Sequence, residues 1–309
     1  MDWHGKSIRM GAWVIVLAIV LRLWDPGKLE PFLVYLETGR VVHPQTEPTE
    51  VATTPPTQPT QPTELPRFSA SDEELIYVWG TGKAVETAEF LAMPLKMDLT
   101  VAEPTVLILH THATESYTET DGWNYDESSA YRTLDEAHNM CAIGAHLAQL
   151  LEAGGLRVIH DQTYHDYPEY LGAYYRAEDT ANRYLEENPG IFLILDLHRD
   201  SISDGQGGEL DTSATVHGQE SAQLMFLMGT DHENWRDNMN LAVKLTALLE
   251  KTYPGITRGI LTRDDDYNQY LTPGTLLVEV GAAGNTQPEA MLAVEALAEA
   301  ILTLRFGTE

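Results

Sequence analysis

Three short apolar runs lie far apart along the chain, and each leads to polar side chains that can bind metal ions or carry protons. Residues 106–109 are all apolar, residues 191–197 are apolar apart from Asp196, and residues 275–280 form the third run. Continuous apolar runs of this length are typical of strands that are buried on both faces of a parallel sheet. The sequence therefore predicts three buried strands.

Apolar residues at helical spacing occur between and after these runs, and they predict the intervening elements. One helix is expected to start at Thr133 or Asp135 and to end at Gly154. The same reasoning predicts helices over residues 170–187, 234–253 and 288–305, and strands over residues 156–159 and 224–228. Strands that alternate with helices indicate an α/β fold, with a mostly parallel, twisted sheet and helices on both faces.

The polar residues at the ends of the three apolar runs form a candidate metal site. His112 and Glu115 follow the first run, His198 follows the second, and Glu279 lies near the end of the third. Because the carboxyl ends of parallel strands meet at one crevice, we expect these four side chains to converge. We predict His112, Glu115 and His198 as zinc ligands and Glu279 as a general base, a set that suits amide hydrolysis.

Two other side chains compete for the zinc shell, and the sequence leaves the choice open. His110 belongs to the first strand itself, so it is either a ligand or a hydrogen-bond partner of one. Asp135 stands at a predicted helix start, where it either faces the metal or caps the helix.

Three further residues are expected to act on the substrate. Arg199 is expected to stabilise the oxyanion that forms during amide hydrolysis, and the alternative is an ion pair with Asp196 or Asp200. Arg132 and Asn285 are expected to contact the carboxylates and amides of the substrate.

Two acidic or histidine-rich loops have competing interpretations. His160, Asp161, His165 and Asp166 are either a second metal or substrate contact or polar groups that bond to the backbone. Residues 264–266 are three consecutive Asp, which we interpret as a solvated turn rather than a cation site.

The amino-terminal part of the chain differs in composition from the rest. Residues 10–21 are almost wholly apolar and are flanked by Arg9 and Arg22, which favours an uncleaved signal anchor over a removed signal peptide or a buried amphipathic helix. Residues 44–66 contain seven Pro and seven Thr, which is typical of an extended spacer. We therefore divide the chain into a cytoplasmic tail (1–9), a transmembrane anchor (10–24), an extracytoplasmic region with a Pro/Thr-rich linker (25–67) and a catalytic domain (68–309).

The net charge argues against nucleic-acid binding, and the cysteine content excludes an intrachain disulfide. The formal net charge of −28, from 19 Lys and Arg and 47 Asp and Glu, argues against nucleic acid as a partner, because phosphate binding needs a basic surface. Cys141 is the only cysteine, so an intrachain disulfide is excluded. Its place within a predicted helix indicates a buried apolar side chain rather than a nucleophile.

Five segments of the chain are similar, in order, to the signature segments of the stage II sporulation protein P family. They are HTHATESY, RTLDEAHN, DLHRDS, YNQYL and LVEVGAAGNTQPEA, within residues 104–305. The resemblance implies a zinc-dependent peptidoglycan hydrolase, similar to the N-acetylmuramoyl-L-alanine amidases, that removes stem peptides and cuts cross-links during engulfment in sporulation. It also implies partnership with a stage II sporulation protein D-type lytic transglycosylase and a membrane scaffold protein. The catalytic domain would then lie in the septal intermembrane space, anchored to the cell membrane.

The resemblance leaves the carboxylate ligand and the exact activity open. Related amidases use a carboxylate further downstream, which would be Asp135, whereas zinc carboxypeptidase-like sites use the spacing of His112 and Glu115. A secreted zinc carboxypeptidase and an inactive wall-binding adaptor are the alternative functions. The predicted anchor argues against the secreted carboxypeptidase, because it favours an insoluble substrate close to the membrane. The presence of Glu279 together with the candidate ligands argues against the inactive adaptor.

Overall fold

The computed structural model describes residues 66–97, Leu99 and residues 105–305. The predicted tail and anchor, and nearly all of the predicted linker, lie outside these residues and stay predictions. Among the described helices, none combines the length and the apolar character needed to cross a membrane.

The strands and helices of the described chain are numbered separately in chain order. The strands are β1 (Val78–Gly80), β2 (Val106–Leu109), β3 (Glu127–Ser129), β4 (Arg132–Thr133), β5 (Val158–His160), β6 (Leu193–Asp200), β7 (Ser213–Val216), β8 (Gln219–Ala222), β9 (Leu224–Gly229), β10 (Thr257–Arg263) and β11 (Gly274–Ala282). The helices are α1 (Thr87–Ala92), α2 (Met140–Ala153), α3 (Ala173–Glu187), α4 (Trp235–Thr252) and α5 (Gln287–Leu304), preceded by a 3₁₀ helix (Ala70–Leu75).

A seven-stranded sheet in the order β1-β10-β9-β11-β6-β2-β5 forms the centre of the fold. All neighbouring strands in it are parallel except β9 and β11, so the predicted mostly parallel sheet is confirmed. The antiparallel pair reverses the direction of β1, β9 and β10 relative to β2, β5, β6 and β11. As a result, the amino end of β10 lies at the same edge of the sheet as the carboxyl ends of those four strands.

Alternate residues of β2 and β6 pack into two separate cores. One side, including Ile108 and Leu195, joins the large core that α2, α4 and α5 also build. The other side packs on α3 in a small cluster, which we call the α3 core and which consists of Leu107, Leu109, Ala177, Ala181, Ile191 and Ile194. Helices therefore cover both faces of the sheet as predicted, three on one face and α3 on the other.

Helix α2 begins later than the sequence predicts. Residues 134–139 form turns, and the helix starts at Met140 with Asn139 as its N-cap, whose side-chain oxygen accepts from the Cys141 amide at 2.9 Å. The prediction that Thr133 or Asp135 caps this helix is therefore wrong. Cys141 is buried in α2 as predicted, and burial raises the pKa of its thiol to about 12.

Strand β10 was absent from the prediction because its sequence, TRGILTR, lacks a clear apolar pattern. It nevertheless lies inside the sheet between β1 and β9, with a register irregularity between Thr257 and Ile260. Gly259 within this bulge has a φ of +86°, and a Cβ there would lie 2.2 Å from the Tyr77 carbonyl oxygen. The bulge therefore requires glycine, and it sets the direction of the neighbouring Arg258 side chain.

Candidate active site

His112 and Glu115 lie in a tight turn directly after β2. The Glu115 amide donates to the His112 carbonyl oxygen at 3.1 Å, so the chain turns back within four residues. Thr111 holds this turn against the next strand, because its amide and its hydroxyl donate to the Asp196 carboxylate at 2.8 and 2.6 Å. Both His112 and Glu115 are buried at the edge of the sheet.

His198 and Glu279 come from adjacent parallel strands. They are paired residues in the register of β6 and β11, so their side chains project from the same face of the sheet. Ile194 of the α3 core lies an even number of residues before His198, so this face is the one that α3 covers. The site therefore lies on the α3 face, at the carboxyl edge of the sheet.

Distances within the site join residues of separate elements. Glu115 Oε2 lies 3.7 Å from His198 Nδ1. The rings of His112 and His198 meet edge to face, with their centres 5.2 Å apart and an angle of 88° between their planes. The expected convergence of His112, Glu115, His198 and Glu279 is present, while their roles stay predictions.

Three polar atoms of the site are buried and have no hydrogen-bond partner among the described residues: His112 Nδ1, His198 Nε2 and Glu279 Oε2. His198 Nε2 does lie 3.0 Å from Asp196 Oδ1, a close charge contact without the alignment of a hydrogen bond. Buried polar atoms without partners are costly, so their concentration here indicates a binding function.

The candidate ligand atoms do not surround a common point at metal-binding distance in this structure. In the described part of the chain, no group of three or more His, Cys, Asp or Glu side chains is arranged to hold a metal ion as it stands. Both oxygens of Glu115 accept hydrogen bonds, Oε1 from Arg132 Nη2 at 3.0 Å and Oε2 from the Arg199 amide at 3.2 Å.

Burial and neighbouring charges shift the pKa values of the site. Burial raises the pKa of Glu279 to about 8, and repulsion from Glu115 and Asp200 acts in the same direction. Burial alone would lower the pKa of His198, but attraction to Asp196, with which it is tightly coupled, raises it to about 9. For His112, burial and the nearby His198 lower the pKa to about 4, so this imidazole is neutral at pH 7 and has a free ring nitrogen for a ligand.

Arg132 and Arg199 bind protein groups in this structure. Arg132 Nη1 donates to Asp166 Oδ2 at 2.7 Å and its Nη2 to Glu115, so the guanidinium bridges two carboxylates. Arg199 Nε and Nη2 donate to the carbonyl oxygens of Ser116 and Tyr131, each at 2.9 Å. Arg199 therefore holds the segments around the site together, and the alternative of an ion pair with Asp196 or Asp200 is wrong.

His110 lies on the opposite face of the sheet from the other candidate ligands. Its Nε2 lies 2.9 Å from His160 Nε2, and its Nδ1 lies 3.2 Å from the Leu197 carbonyl oxygen. Gly144 of α2 packs against this pair, and a Cβ at Gly144 would lie 2.5 Å from both Nε2 atoms. Both ring nitrogens of His110 are thus occupied away from His112, which does not support His110 as a ligand.

Asp135 and Asn285 also lie apart from this cluster. Asp135 is exposed, and its Oδ1 accepts from the Ala137 amide at 3.0 Å. Asn285 is buried, and its side-chain nitrogen donates to the Thr212 carbonyl oxygen and to Glu289 Oε2, each at 2.9 Å. Both amide hydrogens of Asn285 are used inside the protein, so its expected contact with substrate does not fit this structure.

Sequence reasoning missed Arg258 at the amino end of β10. Its Nη1 donates to Asp200 Oδ2 at 2.8 Å, while Nε and Nη2 are buried without a partner among the described residues. The positive charge of Arg258 also opposes the rise in the pKa of Glu279. No local pattern could have indicated Arg258, because the strand reversal that brings it to this edge depends on the pairing of β9 with β11.

Sequence reasoning also missed two tyrosines, Tyr170 just before α3 and Tyr174 in its first turn. The Tyr170 ring stacks on His112 with centres 4.5 Å apart, and its hydroxyl lies 3.1 Å from His112 Nε2. The Tyr174 ring lies edge to face with His112 and parallel to His198, with centres 5.7 and 6.3 Å away. The predicted helix over residues 170–187 includes both tyrosines without a role in the site, whereas α3 starts at Ala173.

Comparison with known proteins identifies the family. Residues 41–302 match the family described as Stage II sporulation protein P (SpoIIP). The chain belongs to this family. It is 29% identical over 217 residues to the Stage II sporulation protein P of Bacillus subtilis (strain 168), a match that covers 66% of this chain and 52% of that protein. The matched part thus spans about half the length of this relative.

Solved amidase structures are also similar to the family member described here. An N-acetylmuramoyl-L-alanine amidase from Clostridium difficile 630 has a TM-score of 0.41 and 11% identity, over 66% of this chain and 97% of the amidase chain. The CwlD amidase from Clostridioides difficile, solved in complex with the GerS lipoprotein, has a TM-score of 0.37 and 15% identity, over 65% and 98% of the two chains.

Proposed function

We propose that this protein is a membrane-anchored, zinc-dependent peptidoglycan hydrolase of sporulation that acts as an N-acetylmuramoyl-L-alanine amidase. Membership of the stage II sporulation protein P family supports a role in sporulation. One observation carries the hydrolase proposal: two imidazoles and two carboxyl groups, buried and partly unpaired, meet on one face at the carboxyl edge of three adjacent parallel strands.

The chemistry of these donors fits zinc. His112, Glu115 and His198 would hold the ion, since two imidazoles and one carboxylate are a common catalytic set. The unpaired Nδ1 of the neutral His112 ring supports this choice, and His198 would lose its proton on binding the ion. A zinc ion held by these residues would supply Lewis acidity for activating water and polarising the amide carbonyl of the substrate. Arg132 would have to release Glu115 Oε1, and its remaining contact with Asp166 would keep it at the edge of the site.

Glu279 would transfer the proton in this reaction. Its carboxyl group has a raised pKa of about 8, and its Oε2 atom has no partner among the described residues. A group with a pKa near the working pH both accepts and returns a proton efficiently. Glu279 would take a proton from the attacking water and deliver it to the leaving nitrogen, so that water adds across the broken C–N bond.

The remaining residues would prepare the site for this step. Arg199 would keep the segments of Ser116 and Tyr131 in place through its two carbonyl contacts rather than contact the oxyanion directly. Arg258 would supply positive charge near Glu279 and Asp200. Burial of the four central side chains would exclude bulk water from the reacting bond.

The cellular setting of the proposal follows from the sequence outside the described residues. The predicted anchor at residues 10–24 would attach the protein to the cell membrane, and the Pro/Thr-rich linker would extend the catalytic domain toward the wall. Peptidoglycan stem peptides would be the substrate. A stage II sporulation protein D-type lytic transglycosylase and a membrane scaffold protein are the proposed partners, and the septal intermembrane space is the proposed location.

Digestion of purified sacculi tests the activity. The full-length protein is incubated with sacculi, with and without a chelator, and the soluble products are analysed by mass spectrometry. Stem peptides with a free amino-terminal alanine, released only without chelator, are expected for the amidase. Cleaved cross-links on stems that remain attached to glycan would indicate an endopeptidase instead. Binding to sacculi without any released product would support the alternative of a wall-binding adaptor.

A further inference from the structure

A groove of about 420 Å³ opens beside His112, between the amino end of α3 and the loop that connects β10 to β11. Five tyrosines line it: Tyr170, Tyr174, Tyr175, Tyr267 and Tyr270. Because Tyr170 and Tyr174 also contact the rings of the candidate ligands, the groove is continuous with the site described above. We call it the tyrosine groove.

Acidic residues accompany the tyrosines of the groove. Glu178, Asp265 and Asp266 belong to its lining, and no Lys or Arg does. Glu178 accepts a hydrogen bond from the Tyr270 hydroxyl, so the acidic and aromatic residues form one connected surface. Such a lining repels carboxylates and provides hydrogen-bond acceptors, so it fits a neutral ligand that has many donors.

The outer part of the groove exposes apolar surface to solvent. The Leu171 side chain is 85% exposed and the Tyr175 side chain is 75% exposed, although both are large and apolar. Neighbouring exposed aromatic residues next to a site commonly mark a binding surface. The Tyr267 ring packs against the Tyr174 ring with centres 5.9 Å apart, so the two rings form one continuous aromatic surface on the groove.

We infer that the tyrosine groove binds the sugar rings of a glycan strand and so presents the adjoining stem peptide to the site. The inference rests on the proposed function and specifies which part of the wall polymer this side of the site takes. A pyranose ring has an apolar face of C–H bonds with a slight positive charge, which complements the negative face of a tyrosine ring. Its hydroxyl and acetamide groups donate hydrogen bonds to carboxylates such as Asp265 and Asp266.

The charges of the glycan and of the stem peptide indicate which of the two occupies the tyrosine groove. Stem peptides carry carboxylate groups, which the acidic residues of the groove disfavour. Arg132 lies over the Tyr170 ring, 5.0 Å from its centre, but its guanidinium is already bound to Asp166 and Glu115. Amino-sugar rings with acetylated nitrogens are neutral as long as the lactyl carboxyl of the muramic acid is held in its amide bond to the stem peptide. The groove is therefore assigned to the glycan, and the peptide extends to the other side of His112 and His198, where Arg258 has two unpaired donors.

Binding of the two isolated halves of the substrate tests this assignment. The full-length protein is titrated with oligomers of N-acetylglucosamine, which represent the neutral acetylated sugar rings of the wall glycan, and, separately, with free stem peptide, and binding is measured by calorimetry. Neither probe contains the bond that an amidase cleaves, so the result does not depend on the proposed activity. Tyr175→Ala is expected to weaken oligosaccharide binding about fivefold to tenfold, as expected for the loss of one aromatic contact, and to leave stem-peptide binding unchanged.

Matched variants make the test specific. Tyr175→Phe keeps the ring and should retain most of the affinity for the oligosaccharide. Tyr77→Ala removes a tyrosine that is 66% exposed but does not line the groove, and it should have no effect on binding.

Equal oligosaccharide binding by the wild type and Tyr175→Ala would overturn the inference. Stem-peptide binding that Asp265→Asn weakens would overturn it too, since the groove would then take an ammonium group. Chelator-sensitive digestion of sacculi could still succeed in either case, and the proposed function would stand.

Discussion

Glu279 and His198 are paired residues in the register of two adjacent parallel strands, β11 and β6. Flanking pairs such as Val278 with Leu197 fix this register from within the large core, so the two side chains cannot move apart without disrupting it. A proton-transfer group is thereby held beside a candidate ligand by backbone pairing rather than by a flexible loop. This arrangement allows the roles of the two residues to be separated by substitution.

Glu279→Gln should retain zinc and still bind sacculi, yet lose hydrolysis by on the order of 10²-fold or more. Gln has the same shape as Glu but cannot accept the proton, and the proposed zinc ligands do not include Glu279. Zinc content, sacculus pelleting and product release are measured on the same preparation. Near-normal hydrolysis would exclude Glu279 as the general base, and loss of zinc would make it a ligand instead.

His198→Ala should lose most of the bound zinc, because two ligands do not form a complete site. The matched control is His110→Gln, which changes a buried histidine directly after β2, on the opposite face of the sheet. That variant is expected to keep its zinc. Elemental analysis of both purified variants checks the prediction, and the opposite pattern would transfer the ligand role from His198 to His110.

Glu115→Gln should weaken zinc retention far more than Asp135→Asn. Glu115 is buried 3.7 Å from His198, whereas Asp135 is exposed and accepts a backbone hydrogen bond from Ala137. Competition with a colorimetric chelator gives the two affinities. If Asp135→Asn is the weaker binder, Asp135 is the carboxylate ligand, and the segment that contains it must rearrange when the metal binds.

The His110–His160 pair should make the fold sensitive to acid. Burial lowers the pKa of His110 to about 3 and that of His160 to about 4, against an ordinary value of 6.5. The unfolded chain therefore takes up protons first as the pH falls below 6.5, and stability decreases from there toward pH 4. Each histidine contributes a slope of at most about 1.4 kcal/mol per pH unit in this range.

Denaturant unfolding of a metal-free fragment that starts near residue 67 measures this slope. His160→Gln should reduce the pH dependence of the free energy of unfolding between pH 6 and pH 4.5, because one titrating group is removed. Gln162→Ala is the control, since it changes an uncharged neighbour 3.3 Å from His160 Nδ1 and leaves both imidazoles in place. An unchanged slope in His160→Gln would refute a neutral buried pair.

The sequence was sufficient to predict the strands that form the site but not the faces of the sheet. β2, β6 and β11 are continuous apolar runs, so their burial and their common edge could be inferred. A continuous apolar run does not indicate which side chains project to which face of the sheet, because apolar residues lie on both faces. His110 therefore stayed a competing candidate beside His112 in the sequence. The turn that begins at His112 and the contacts of His110 with His160 and Gly144 separate the two residues.

Elements without an apolar pattern could not be predicted. β10 is held by pairing with β1 and β9 and by the bulge at Gly259, and neither constraint is visible locally. Asp135 is a plausible cap by residue type, but Asn139 satisfies the first amides of α2, and the segment between them turns instead. Arg258 and the tyrosine groove were missed for the same reason, since both depend on contacts between residues far apart in the sequence.

The large core contains many more residues than the α3 core, so the helices that pack on the two cores should differ in local stability. α2, α4 and α5 share the large core, whereas α3 is attached through the six residues of the α3 core and their partly buried neighbours. Segments with few buried apolar contacts open locally at a lower free energy than the global transition. Backbone amides of α3 should thus exchange with solvent faster than those of α4. Local opening of this single helix would then widen access to the α3 face of the site, while the sheet that fixes His198 and Glu279 stays intact.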